Sequence, residues 1–114
     1  MAFLTKDQII NAPDLNKFVT VEVPEWGGTV NIRKINGLQR EKMEAAYASN
    51  AGKVSRAQLL SYCLCDENGV PLFNEADCAA LDNKSAETTT RVFLACMKHN
   101  GFLKEDIETA EKKS

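Results

Sequence analysis

The side chains of this sequence best able to do chemistry are four thiols, Cys63, Cys65, Cys78 and Cys96, and a single imidazole, His99. A structural zinc site is usually spelled CxxC, with further cysteine or histidine ligands at set spacing. Here the close pair is CxC, Cys63-Leu64-Cys65, and His99 has no second histidine to join it. A nucleophilic thiol needs a positive neighbour to lower its pKa. Cys65 instead precedes an acid, Asp66. Disulfides belong mainly to exported chains. The opening MAFLTKDQII reaches Lys6 and Asp7 too early to read as a signal peptide. The cysteines therefore read as free thiols packed as small hydrophobes.

His99 stands just before Asn100-Gly101, a helix stop, where the helix dipole alone favours a cation. A catalytic triad would have to use this residue, and its position already has that simpler explanation. Gly27-Gly28 belongs to neither a GxxxxGK nor a GxGxxG phosphate loop. Asp66, Glu67, Glu75 and Asp77 flank Asn68-Gly69 without the spacing of a calcium loop. They read as solvated charge, as do Arg40, Glu41, Lys42 and Glu44, which gain some i,i+4 support on a helix. The sequence thus specifies no catalytic residue, no metal and no cofactor, and a chain that is not an enzyme is expected.

The 114 residues are enough for one domain with a modest core. A hydrophobic content of 44% and a charged content of 26% are those of a globular chain. A formal net charge of -2 lacks the basic footprint of a nucleic-acid binder. No apolar run approaches the ~20 residues needed to cross a bilayer. Neither nucleic acid nor membrane is therefore expected as a partner.

The elements that position these residues carry full start and stop signals. Thr5 and Gln8 spell a capping box, with Leu4 and Ile9 at the positions of a hydrophobic staple. Ser55 and Gln58 repeat the box, with Val54 and Leu59 as staple. Asn74 caps a third start, with Glu75 and Asp77 in its first turn and Phe73 and Cys78 placed to staple. Ser85 caps a fourth, with Glu87 in the first turn. These signals predict helices at 5–11, 55–65, 74–81 and 85–99. A fifth is predicted from Asn36, with Gln39 at its third position, to Ser49, where Asn50-Ala51-Gly52 ends it. His99-Asn100-Gly101-Phe102 predicts a Schellman ending, with Gly101 left-handed and Phe102 against Met97. A last helix is predicted at 103–111, followed by a charged tail near 111–114 that frays. Leu59, Leu60, Cys63 and Leu64 form one apolar face, and Thr89, Val92, Phe93, Cys96 and Met97 another.

Two segments alternate with period two, FVTVEV at 18–23 and TVNIRKI at 29–35. A one-residue slip would set valines against asparagine, so the parity of their pairing is fixed. Pairing Val23 with Val30 and Val21 with Ile32 satisfies it. The loop is then Glu25-Trp26-Gly27-Gly28, with Gly28 free to take positive φ. The valine face of such a hairpin must pack on helices or gain another strand. Asn68-Gly69 predicts a further tight turn, and Pro71 demotes any strand after it. The fold class is α+β: a mainly helical single domain spanning 1–114, with about five to six helices and a β-hairpin at 18–35.

With no chemistry specified, binding is the remaining reading. Trp26, the only tryptophan, sits on the hairpin tip, where it either packs on its own domain or anchors a partner. Leu103 and Ile107, with Ala110, make a narrow apolar stripe that could dock on a partner.

Taken in order, MAFLTKDQI, VEVPEWGGTVNIRKINGLQREKME, LCDENGVPLF and KHNGF resemble the small tail assembly chaperones of long-tailed bacteriophages. The likeness covers roughly residues 2 to 107. It departs from the family at Cys63 and Cys65, where plain aliphatic residues are the norm. The resemblance implies a non-enzymatic protein of the host cell cytoplasm, absent from the mature virion. Such proteins bind the tape measure protein, keep it soluble and help recruit major tail subunits. Many also exist in a longer form made by ribosomal frameshifting near the end of the frame. This chain resembles the short form, and a slippery run could encode Lys112-Lys113. Self-association through an open hairpin edge is a further possibility. The alternative reading is a structural tail component, a connector or terminator subunit, retained in the virion.

Overall fold

Most of the helix starts carry the caps that the sequence spells, though not every box or staple forms. A computed structural model describes residues 3–49 and 55–102. In α1 (Lys6–Ile10) the Thr5 hydroxyl accepts from Gln8 N–H at 3.3 Å, and Gln8 Oε1 accepts from Thr5 N–H at 2.9 Å. The same reciprocal pair, Asn36 and Gln39 at 2.8 and 3.0 Å, opens α2 (Gly37–Ser49). Ser55 caps α3 (Arg56–Cys63) through Gln58 N–H, but the Gln58 amide turns to the Tyr62 hydroxyl, so only half of that box forms. Ser85 caps α5 (Ala86–His99) through Thr88 N–H. Asn74 and Asp77 frame a short 3₁₀ turn, Glu75–Asp77, which leads into α4 (Cys78–Asp82). The helix expected over 74–81 is thus split into two kinds of turn. α5 ends as a Schellman motif: Phe102 N–H bonds Met97 O, Gly101 N–H bonds Lys98 O, and Gly101 has φ +71.

The strands need correction. β1 (Val19–Val23) and β2 (Gly28–Ile32) are antiparallel, with Val19 opposite Ile32, Val21 opposite Val30 and Val23 opposite Gly28. The expected parity holds, but the register lies two residues from the one expected. The loop decides it. Pro24–Trp26 forms a 3₁₀ turn closed by Gly27 N–H to Pro24 O at 2.9 Å. Gly27, at φ +82, is the left-handed residue, so Gly28 is released into the strand. The four-residue loop is therefore Pro24–Gly27.

The helix expected over 55–65 stops at Cys63. Leu64–Cys65 is a third strand, β3, which pairs antiparallel with Asn31 and Ile32. The sheet order is β1-β2-β3. A helix could not offer β2 these edge groups, and Arg33 N–H continues the ladder to Cys63 O at 2.9 Å. The Asn68-Gly69 turn then returns the chain, bridging Cys65 to Pro71.

One core joins the layers. Val23 and Ile32 from the sheet lie with Leu59, Leu60, Cys63 and Leu64 of the α3–β3 segment and Val92, Phe93, Cys96 and Met97 of α5. Both predicted helix faces are thus buried, and α3 packs most extensively on α5. Burial of such side chains is worth about 1.5–3 kcal/mol each. α1 buries none of its residues, and its staple pair Leu4 and Ile9 is largely exposed. The second staple, through Val54, and the predicted helix at 103–111 lie outside the described residues.

Candidate functional site

The hairpin tip is tied to α5 by side-chain hydrogen bonds. Glu25 projects from the Pro24–Trp26 turn to α5, where Arg91 donates to both carboxylate oxygens, at 2.6 and 3.0 Å. The buried Thr88 hydroxyl donates to the same carboxylate at 3.3 Å. These donors favour the charged form. The Arg91 guanidinium, with help from the backbone N–H of Glu25 itself, holds the Glu25 carboxyl down to about 2. Thr88 and Arg91 are three residues apart on α5, so one helix face presents both groups to the tip. Trp26 beside Glu25 is half-buried and packs against the core. The tip is therefore a rigid ledge with part of an indole showing. Leu103 and Ile107, the other candidate contacts, lie outside the described residues.

A second polar hub ties α5 to the sheet. The Asn100 side chain accepts from Ile35 N–H at 2.8 Å and donates to Cys96 O at 2.9 Å. It also approaches Arg33 O and Cys63 Sγ, each at 3.5 Å. Beyond it, the Arg40 guanidinium lies 4.1 Å over the Phe102 ring, a cation–π contact. Elsewhere the Tyr62 hydroxyl donates to Glu75 at 3.0 Å, and Lys42 reaches the same oxygen at 3.3 Å. These donors lower the Glu75 carboxyl, Tyr62 first and then Lys42, while burial raises the Tyr62 hydroxyl.

The thiols are poised for packing. Cys63, Cys65 and Cys96 are buried and all four cysteines are free. Burial raises the Cys65 thiol in spite of Arg33 nearby, a cation that its sequence neighbours did not reveal. Cys96 is raised strongly, first by its hydrogen bond with the Cys63 thiol and then by burial. Both shifts disfavour the reactive thiolate. His99 Nε2 lies 2.7 Å from Lys17 O and pins the 11–17 loop. Among the described residues, no group of three or more His, Cys, Asp or Glu is placed to hold a metal ion. No helix among them is long and apolar enough to cross a membrane.

Glu25, Thr88 and Arg91 carry the tip's geometry, yet no local pattern marks them. Only the finished hairpin brings residue 25 to within reach of residue 91.

No protein-family model matches the sequence, and no curated protein matches it significantly. A solved structure does: that of the bacteriophage HK97 tail assembly chaperone, with a TM-score of 0.59 and 21% sequence identity. The match covers 81% of this chain and 89% of that one. The described elements therefore share the fold of a bacteriophage tail assembly chaperone.

Proposed function

We propose that this chain is a non-enzymatic tail assembly chaperone. It binds the tape measure protein, keeps it soluble, and helps recruit major tail subunits during tail assembly. The observation that carries this reading is the fold shared with the HK97 chaperone over most of both chains. The opener, PEWGG hairpin, DENGVPLF turn and KHNGF stop, in that order, favour the same family. Such a protein acts in the host cytoplasm and leaves before the virion is complete. On this reading the contacts lie on the rigid tip around Trp26 and on the stripe of Leu103 and Ile107. Weak contacts suffice where a long client offers many sites, and weakness eases release.

Two experiments test the proposal. A resin carrying the purified chain should retain the tape measure protein of the same phage, and failure to retain it contradicts the role. Mass spectrometry of purified virions should find none of this chain. Its presence at stoichiometric levels would favour a connector or terminator subunit.

A further inference from the structure

We propose that the cleft where the 14–17 loop, the 34–37 connection and the end of α5 meet is a docking site for an acidic segment of a partner protein. The cleft has a volume of about 440 Å³ and is lined by Lys17, Lys34 and Arg40, with Asp14 as its single acid. Three cations against one acid is a local excess in a chain whose formal net charge is -2. Among the described residues, neither lysine ammonium has an ion-pair partner. Arg40 pairs with Glu44 at 2.9 Å and is steadied by the Phe102 ring, and a guanidinium has further N–H donors to offer.

The loops that carry these cations are held in place by α5. His99 Nε2 meets the carbonyl of Lys17 at 2.7 Å, and Asn100 Oδ1 accepts from Ile35 N–H, next to Lys34, at 2.8 Å. Lys17 and Lys34 come from different segments, yet hydrogen bonds from the adjacent His99 and Asn100 at the end of α5 hold both backbones. Such fixing lowers the ordering cost of binding. Leu15 and Ile35, both half-buried, supply an apolar wall to the same cleft. Carboxylates on the lysines with an apolar side chain against that wall would match it. A nucleic acid fits less well, because an extended polyanion would meet the net negative charge of the rest of the surface. The inference does not rest on the tail-assembly reading, since it uses only this chain's own cleft.

The probe is a short fluorescein-labelled peptide of glutamate and leucine, titrated with the full chain and followed by anisotropy. The wild-type chain should bind it at low salt and lose it as salt screens the charges. The Lys17→Gln/Lys34→Gln variant should bind at least about tenfold more weakly. Both lysines lie at the surface of the cleft, and an unchanged far-ultraviolet circular dichroism spectrum confirms that the variant folds. Lys17→Arg/Lys34→Arg should retain binding, which separates charge from packing. The same peptide with glutamine for glutamate should not bind. No binding by the wild-type chain, or equal binding by the glutamine variant, overturns the proposal. Tighter binding of a single-stranded oligonucleotide than of the peptide also overturns it. So does a tenfold gain on neutralising Glu105, Asp106 and Glu108, because the cleft would then belong to the chain's own acidic C-terminal segment.

Discussion

Arg91 and Glu25 stand 66 residues apart in sequence and meet through two hydrogen bonds, at 2.6 and 3.0 Å. This pairing fixes the hairpin tip on α5 and turns Trp26 toward the core. The sequence left open whether that tryptophan packs or protrudes, and the structure places it half-buried beside the anchored carboxylate.

The pairing has a pH signature. Glu25 is held down to about 2 against an ordinary 4.5. A depressed carboxyl stabilises the fold fully above its unfolded value and loses that contribution as pH falls through its folded value. Wild type should therefore exceed Glu25→Gln in stability above pH 4.5, and the two should converge towards pH 2. Chemical unfolding at several pH values, followed by Trp26 fluorescence, measures the gap. A gap that widens on acidification contradicts the assignment.

Asn100 should matter more than its exposure implies. Asn100→Ala leaves Ile35 N–H and Cys96 O without this partner. A loss of about 2 kcal/mol is expected, or a fall in Tm of roughly 10 °C. Asn100→Asp keeps the acceptor for Ile35 but sets a carboxylate oxygen against Cys96 O at a helix C-terminus, so it should not recover the loss.

Gly69 and Gly27 both have positive φ, yet they should respond differently to alanine. A Cβ at Gly27 meets open space, so only the backbone term of about 1 kcal/mol applies. A Cβ at Gly69 would stand 2.6 Å from the Phe18 ring, which must shift. Gly69→Ala should therefore cost more. A Phe18→Leu background should narrow the difference, and a double-mutant cycle reads the coupling.

Trp26→Ala should destabilise the domain by about 1–3 kcal/mol, less than the roughly 3–5 kcal/mol of a fully buried aromatic such as Phe93. If stability is unchanged, the indole does not pack on the core as described. If partner retention falls further than stability explains, the exposed part of the ring is a contact.

The legible parts of the fold were the local ones. α5 was readable because Ser85, the stripe from Thr89 to Met97 and the Gly101 stop all lie within one element. The hairpin register was not, because a two-residue slide keeps every valine on its face. The turn chemistry of Pro24 and Gly27 settles it. β3 was hidden because Leu64 and Cys65 continue the apolar run of α3, and only pairing with Asn31 and Ile32 makes them a strand. The Glu25, Asn100 and cleft-lining contacts join residues far apart in sequence, so no spacing rule reaches them.

The proposed role is to protect a tail protein during assembly. The most direct test is the soluble fraction of the phage's tape measure protein, expressed with and without this chain. Soluble tape measure protein should rise markedly when the two are made together. An unchanged soluble fraction, with this chain itself folded and abundant, would contradict it.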